Sequence, residues 1–297
     1  MTVHPWFDLS RKGRQFLGAP WAEKRAALEW RIERWRTKGR LRLPGRLNRY
    51  RLRHFGRLWL ARLAARHLYR DSEPLISVLI PTYNRGELLV KRSVASVLRQ
   101  TYQRFEIVVV GDACTDNTEA LLRDMGDPRI RFHNLAVRGN YPEDPYLQWL
   151  VAGSAPANHA LGMARGTWIA CLDDDDEFSP DHLEVLLAFC LRSRMEFAYC
   201  IMDMEVDPDI WRPVGSYPPH CGQICTAAVL YGGHLKFLRW DLETWRLEEP
   251  NDWNLWKRMW GAGVRMGFVD RVLGKHFLEH RPRAPASSGR LGGGLRR

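Results

Sequence analysis

Four consecutive carboxylates, Asp173-Asp174-Asp175-Asp176, directly follow the apolar run Trp168 to Leu172. Adjacent charges of one sign repel unless a cation or hydrogen-bond donors compensate. Hard oxygen donors favour magnesium or manganese over zinc, and an ion held by one or two carboxylates commonly completes its shell with phosphate oxygens. The alternative is a solvated acidic loop in which Asp176 or Ser179 caps the next helix; the apolar run ahead of it favours the metal. Two more polar clusters follow apolar runs, Pro81-Thr82-Tyr83-Asn84-Arg85 and Gly111-Asp112. Further on, Glu248-Glu249-Pro250-Asn251-Asp252-Trp253 places Asp252 at a helix start, where it can cap the helix or act as a base. His220, Cys221 and Cys225 lie close together, but a lone Cys-x3-Cys is weak evidence for a metal. The remaining cysteines fall mostly in apolar stretches and read as buried free thiols in a reducing compartment.

The elements that would position these groups are legible in the pattern of apolar residues. Short apolar runs at Leu75 to Ile80, Phe105 to Val110, Ile130 to Phe132, Trp168 to Leu172 and Phe197 to Ile201 read as strands. Helical periodicity lies between them, over Glu87 to Arg99, Asn117 to Met125, Ala157 to Ala164 and Pro180 to Arg192. Continuous apolar strands alternating with helices predict an α/β domain, a mostly parallel sheet flanked by helices on both faces. Its binding site belongs outside the carboxyl ends of the strands, where all three polar clusters stand. Trp253, Trp256 and Trp260 recur at helical spacing and read as core.

Charge is distributed unevenly along the 297 residues: of 45 Lys and Arg and 34 Asp and Glu, residues 1–73 hold 19 and 6, a net of +13. Leu52, Phe55, Trp59 and Leu63 recur there at helical spacing between arginines, which predicts a basic amphipathic helix, with an earlier helix over Trp21 to Arg36. Such a helix either lies on an anionic membrane surface or forms an extra layer packed on the catalytic body. No apolar run is long enough to span a bilayer and no signal peptide is visible, so the expected location is the cytoplasm, peripheral at the inner face of the cell membrane. The expected organisation is a basic helical extension (1–73), a Rossmann-like half (74–202), an acceptor-binding and catalytic half (203–280) and a disordered tail (281–297).

Pro74-Leu75-Ile76-Ser77-Val78-Leu79-Ile80-Pro81-Thr82-Tyr83-Asn84-Arg85 resembles the opening of the family 2 glycosyltransferases, which have the GT-A fold. So do Ser96 to Tyr102, Gly111 to Thr118, and Ala164-Arg165-Gly166 through Asp176, in order and at family-like spacing. The resemblance implies a nucleoside-diphosphate sugar as donor and a glycan or glycolipid hydroxyl as acceptor. It implies that Thr82 and Asp112 contact the nucleotide, Asp112 reading the base edge, with Pro81, Tyr83, Asn84, Arg85 and Asn158 in the same site. By the same resemblance Asp174 lies near the ribose. Asp175, with Asp173, binds manganese or magnesium on the diphosphate, and His280 adds a ligand, His276 competing with it. Asp252 takes the position of the catalytic base in an inverting displacement. Asp112 could instead form an Asx turn, and Asp116 reads as a cap with Glu119. Many relatives carry an Arg just before the residue matching Asn158; this chain has Gly153-Ser154-Ala155-Pro156-Ala157, leaving Arg138 or Arg165 as substitutes.

Two rivals weigh less. A sugar nucleotidyltransferase would need a Gly-rich loop after the first strand, which Pro81 to Gly86 is not. A polyanion-binding protein leaves the carboxylate cluster unexplained, because a nucleic acid would be repelled by it.

Overall fold

The computed structural model describes residues 49–277, with side chains from His54 onward. The earlier helix at Trp21 to Arg36, the tail at 281–297 and His280 lie outside the described residues. The first described element is helix α1 (Arg49–Ala64). Strand β1 (Ile76–Thr82) leads into helix α2, which starts at Gly86–Leu88, passes through a π-helical turn at Leu89–Val94 and ends at Ala95–Leu98. Strand β2 (Phe105–Gly111), helix α3 (Thr118–Asp124) and strand β3 (Ile130–Asn134) follow. Helices α4 (Pro145–Trp149) and α5 (Ser154–Met163) precede β4 (Trp168–Cys171), β5 (Glu177–Phe178) and helix α6 (His182–Ser193). The chain then forms β6 (Phe197–Asp207), β7 (Ile210–Val214), β8 (Val229–Gly232), helix α7 (Asn251–Ala262) and β9 (Met266–His276).

These strands make one sheet in the order β3-β2-β1-β4-β8-β6-β9-β5, with β7 paired to β6. From β3 to β4 every pairing is parallel, and β1, β2 and β4 are almost wholly buried, which is why their sequences are apolar without alternation. Beyond β4 the chain reverses: β8 runs antiparallel to both β4 and β6, and β9 returns parallel to β6. The division expected after residue 202 falls inside β6, so the two halves share a continuous sheet.

Two local features set the register of the parallel half. Ser77 and Glu106 pair across β1 and β2, and the Ser77 hydroxyl donates to the Glu106 carboxylate at 2.6 Å. The Gly166 N–H donates to the Ser77 hydroxyl at 2.8 Å, and the Arg165 N–H to Glu106 at 2.6 Å. A Cβ on Gly166 would stand 2.6 Å from the Ser77 backbone nitrogen, so only glycine admits the chain this close. Helix α5 begins earlier than the periodicity suggests. Gly153, at φ 77°, turns the chain into it, and Pro156 in its first turn needs no hydrogen-bond donor there.

Candidate active site

Register alone brings the three polar clusters to one edge. Thr82 pairs with Gly111 at the ends of β1 and β2, and Leu79 pairs with Cys171 in β4, so Thr82, Asp112 and the carboxylates from Asp173 onward emerge together at the carboxyl edge. Asn84, held at φ 52°, joins the first two loops: its side-chain oxygen accepts from the Thr115 N–H at 2.8 Å. Ala113, next to Asp112, sits at φ 58°, a left-handed position costly for a residue with a Cβ.

Asp112 is buried and accepts from the Gly139 N–H at 2.9 Å and the Tyr141 hydroxyl at 2.7 Å. Burial and this bond raise the Tyr141 phenol above its usual range. Arg138 stacks its guanidinium 3.8 Å from the centre of the exposed Tyr83 ring and stands 3.9 Å from Asp112. Arg165, by contrast, precedes β4 and so lies at the opposite, amino edge of the sheet. Of the two arginines weighed as substitutes, only Arg138 is at the site. Nothing in the sequence marks Gly139 and Tyr141 as partners of Asp112, because their loop has neither helical nor strand periodicity.

The four carboxylates are not a solvated loop. Asp176 is fully buried and Asp174 nearly so, and neither caps the helix that follows. Asp174 accepts from the Thr82 hydroxyl at 2.7 Å and from Arg85 at 2.9 Å; the same Arg85 nitrogen donates to Asp175 at 2.8 Å. Arg92, projecting from the π-helical turn of α2, donates to the Asp175 carbonyl at 2.9 Å and stacks on Phe277. Burial, with the charge of Asp176, pushes Asp175 up to about 7. The same causes raise Asp173 well above the ordinary carboxylate range.

One oxygen each from Asp173 and Asp176 and one nitrogen of His276 all lie within 4.8 Å of one another. His276 arrives through β9: Glu177, directly after Asp176, pairs with Lys275. The His276 Nδ1 stands 2.7 Å from Asp176, and the Phe277 N–H donates to the other carboxylate oxygen at 3.2 Å. Two carboxylates and an imidazole suit a divalent ion such as manganese, and charge crowded into a buried site is relieved by a cation. His276, the competitor of His280 in the sequence, is the histidine in this cluster. Asp175 is not in it; Arg85 holds it.

Asp252 stands in the first turn of α7, close enough to Asp173 and His276 for their charges to interact. Burial pushes its carboxyl up to about 6, although the Trp253 N–H donates to it at 2.5 Å. Neighbouring Glu249 accepts from the buried Lys257 ammonium at 2.6 Å and is committed to that pair. Pro81, Gly153, Trp240 and Asn251 line the cleft beside Asp173. Asn158 donates to the Trp240 carbonyl at 2.9 Å and accepts from the Trp240 N–H at 3.0 Å, tying α5 to a segment that lines the cleft. Asp116 accepts from the Thr118 and Gly86 N–H groups, joining the starts of α3 and α2. Trp256 is fully buried, and Trp253 and Trp260 pack on the core.

An α/β sheet, parallel from β3 to β4 and mixed beyond it, with a carboxylate cluster at the carboxyl edge of its parallel half, defines a GT-A-type fold. Residues 77–140 and 152–220 match the family model described as Glycosyl transferase family 2. Over that stretch the chain is similar to the family 2 glycosyltransferases. It is 36% identical over 120 residues to the colanic acid biosynthesis glycosyl transferase WcaA of Escherichia coli K12, covering 39% of this chain and 38% of that one. It is 33% identical over 126 residues to WfgD of Escherichia coli, named a UDP-Glc:α-D-GlcNAc-diphosphoundecaprenol β-1,3-glucosyltransferase, covering 42% of this chain and 44% of that protein. The chain thus spans less than half the length of either relative. The crystal structure of Staphylococcus aureus TarS 1–349 in complex with UDP-GlcNAc has the same fold, with a TM-score of 0.55 at 19% identity over 70% of this chain and 59% of TarS.

Proposed function

We propose that the chain is an inverting, metal-dependent glycosyltransferase that moves a sugar from a nucleoside diphosphate to a hydroxyl of a growing surface glycan or glycolipid. The observation that carries this reading is the gathering of Asp173, Asp176 and His276 at the sheet edge that also carries Asp112 and Thr82, with Asp252 near enough to Asp173 and His276 for their charges to interact. Asp252 accepts the proton of the acceptor hydroxyl as that oxygen attacks the anomeric carbon from the face opposite the diphosphate. Asp173, Asp176 and His276 would hold a manganese or magnesium ion, which when bound neutralises the departing diphosphate. Asp112 accepts from an N–H on the base edge once Tyr141 and Gly139 yield it. Arg138, beside Asp112, is the cation nearest the base and stands in for the arginine absent before Asn158. Relatives named for colanic acid and for a diphosphoundecaprenol-linked acceptor support the acceptor class.

The test is a screen of UDP-, GDP- and dTDP-sugars for manganese-dependent thermal stabilisation. It is followed by transfer to lipid-linked acceptors, with the anomeric configuration of the product read by NMR. Retention of configuration sinks the single displacement. Stabilisation by no nucleotide sugar sinks the enzyme class.

A further inference from the structure

We propose that helix α1 is a lipid-contacting element that lies in the interface of an anionic membrane. One face of α1 is bound to the protein. Leu58 is 3% exposed, and Arg62 grips Glu196 through two hydrogen bonds of 2.7 Å while donating to the Gly263 carbonyl at 2.8 Å. Arg57 adds a stack on Phe237. Among the described residues the opposite face has no such partner: Phe55 is 61% exposed, Trp59 56%, Leu60 58% and Leu63 52%. Phe55, Trp59 and Leu63 follow one another at four-residue steps, so they form a stripe along one side of the helix. Single exposed apolar residues need no explanation, but a contiguous large apolar stripe does.

Charge selects the occupant. Residues 1–73 carry 19 basic side chains against 6 acidic, and Arg66 and Arg70, in the turn that follows the helix, are exposed. A cationic rim around Trp, Phe and Leu is complementary to lipid phosphates above an acyl boundary, with the tryptophan at the headgroup level. Among the described residues no helix is long and apolar enough to cross a membrane, so this helix lies on the bilayer. Its bound face packs against α7, whose first turn carries Asp252. A bilayer under α1 therefore lies on the side of the acceptor half. The benefit for a lipid-linked acceptor rests on the proposed activity; the vesicle contact itself does not.

The experiment uses the full chain with vesicles of phosphatidylcholine alone or mixed with phosphatidylglycerol, read by co-sedimentation. The wild type is expected to bind the anionic vesicles and leave the neutral ones, with affinity falling as salt rises. The F55S/W59S/L63S variant alters only exposed side chains and is expected to keep its circular dichroism and its manganese-dependent donor binding. It should bind anionic vesicles about 100-fold more weakly, since three large side chains lose their apolar burial. Several results overturn the proposal: a wild type that ignores anionic vesicles, equal binding to both vesicle types, or a triple variant that binds as well as the wild type. Self-association of the wild type that the variant abolishes, with no vesicle binding by either, assigns the stripe to a second copy instead. Loss of donor binding in every form would count against the glycosyltransferase reading and leave the vesicle result standing.

Discussion

A base must be unprotonated to accept a proton, and Asp252, pushed up by burial to about 6, is protonated in mildly acid solution. Turnover is therefore expected to rise with pH through about 6 and level off above it. Asp252 lies inside the first turn of α7, after the Pro250 cap position, and Asn keeps its shape and an oxygen to accept from the Trp253 N–H, so Asp252→Asn should fold normally and bind donor unchanged. It should lose turnover by about 10²-fold, with the acid limb gone from its residual rate. Near-full activity in this variant would place the base elsewhere, and not at Glu249, which Lys257 holds. A second test concerns the ion. His276→Ala should weaken manganese binding, measured by calorimetry without nucleotide, by about 10-fold or more, the scale seen when support for a metal ligand is lost. Asp175→Ala should abolish transfer if the sequence reading of that residue holds. If it also weakens manganese more than His276→Ala does, the ion sits nearer Arg85 than the described cluster indicates.

Elements hold these residues in place through close backbone approach and one buried ion network. Gly166→Ala puts a methyl against the Ser77 backbone, 2.6 Å from its nitrogen, in a place where neither strand can yield. The expected cost is about 1–3 kcal/mol, the usual range for overpacking, measured as a lower urea midpoint. The network is Glu196, which accepts from Arg62, His234 and the Arg265 backbone and is thereby held well below its ordinary range of 4.5 despite burial. A depressed carboxyl contributes stability that is fully present above the unfolded value and is lost as pH falls. Arg62→Gln should accordingly destabilise by about 1–3 kcal/mol near neutrality, as for a hydrogen bond to a charged group, and less in acid. Hydrogen exchange should rise selectively in residues 49–64, and unchanged protection there would mean that α1 is held by apolar packing alone.

At the scale of the molecule, four carboxylates gathered at a buried edge repel a diphosphate as they repel one another. A nucleoside diphosphate alone should raise the melting temperature little. The same ligand with manganese should stabilise by about 2.7 kcal/mol at a hundred times its dissociation constant. Equal stabilisation with and without the ion would remove the metal from donor binding.

The parallel half of the fold was legible in the sequence because its central strands β1, β2 and β4 are buried on both faces and are therefore mostly apolar runs, while β3 at the edge is half-exposed. Thr82, Asp112 and Asp173 to Asp176 were legible for a related reason: polar residues just past such a run must stand at the carboxyl edge. The second half was not. Strand β8 is only four residues long, and β9 has exposed positions at Asp270, Arg271 and Val272 that break its pattern. Without β9 no reading of neighbouring residues could join His276 to Asp176, a hundred positions away, since that contact is made by the pairing of Glu177 with Lys275. Asn158 shows the same limit from the other side: nothing near it in the sequence marks the Trp240 backbone, 82 positions away, as the partner of its carboxamide. The identity of the chemical groups and the edge on which most of them stand follow from local patterning, which the chain carries within a few residues. Which carboxylate meets the histidine, which meets an arginine, and which side of α1 is left to solvent depend on strands and helices meeting across the sheet, and only the tertiary structure decides them.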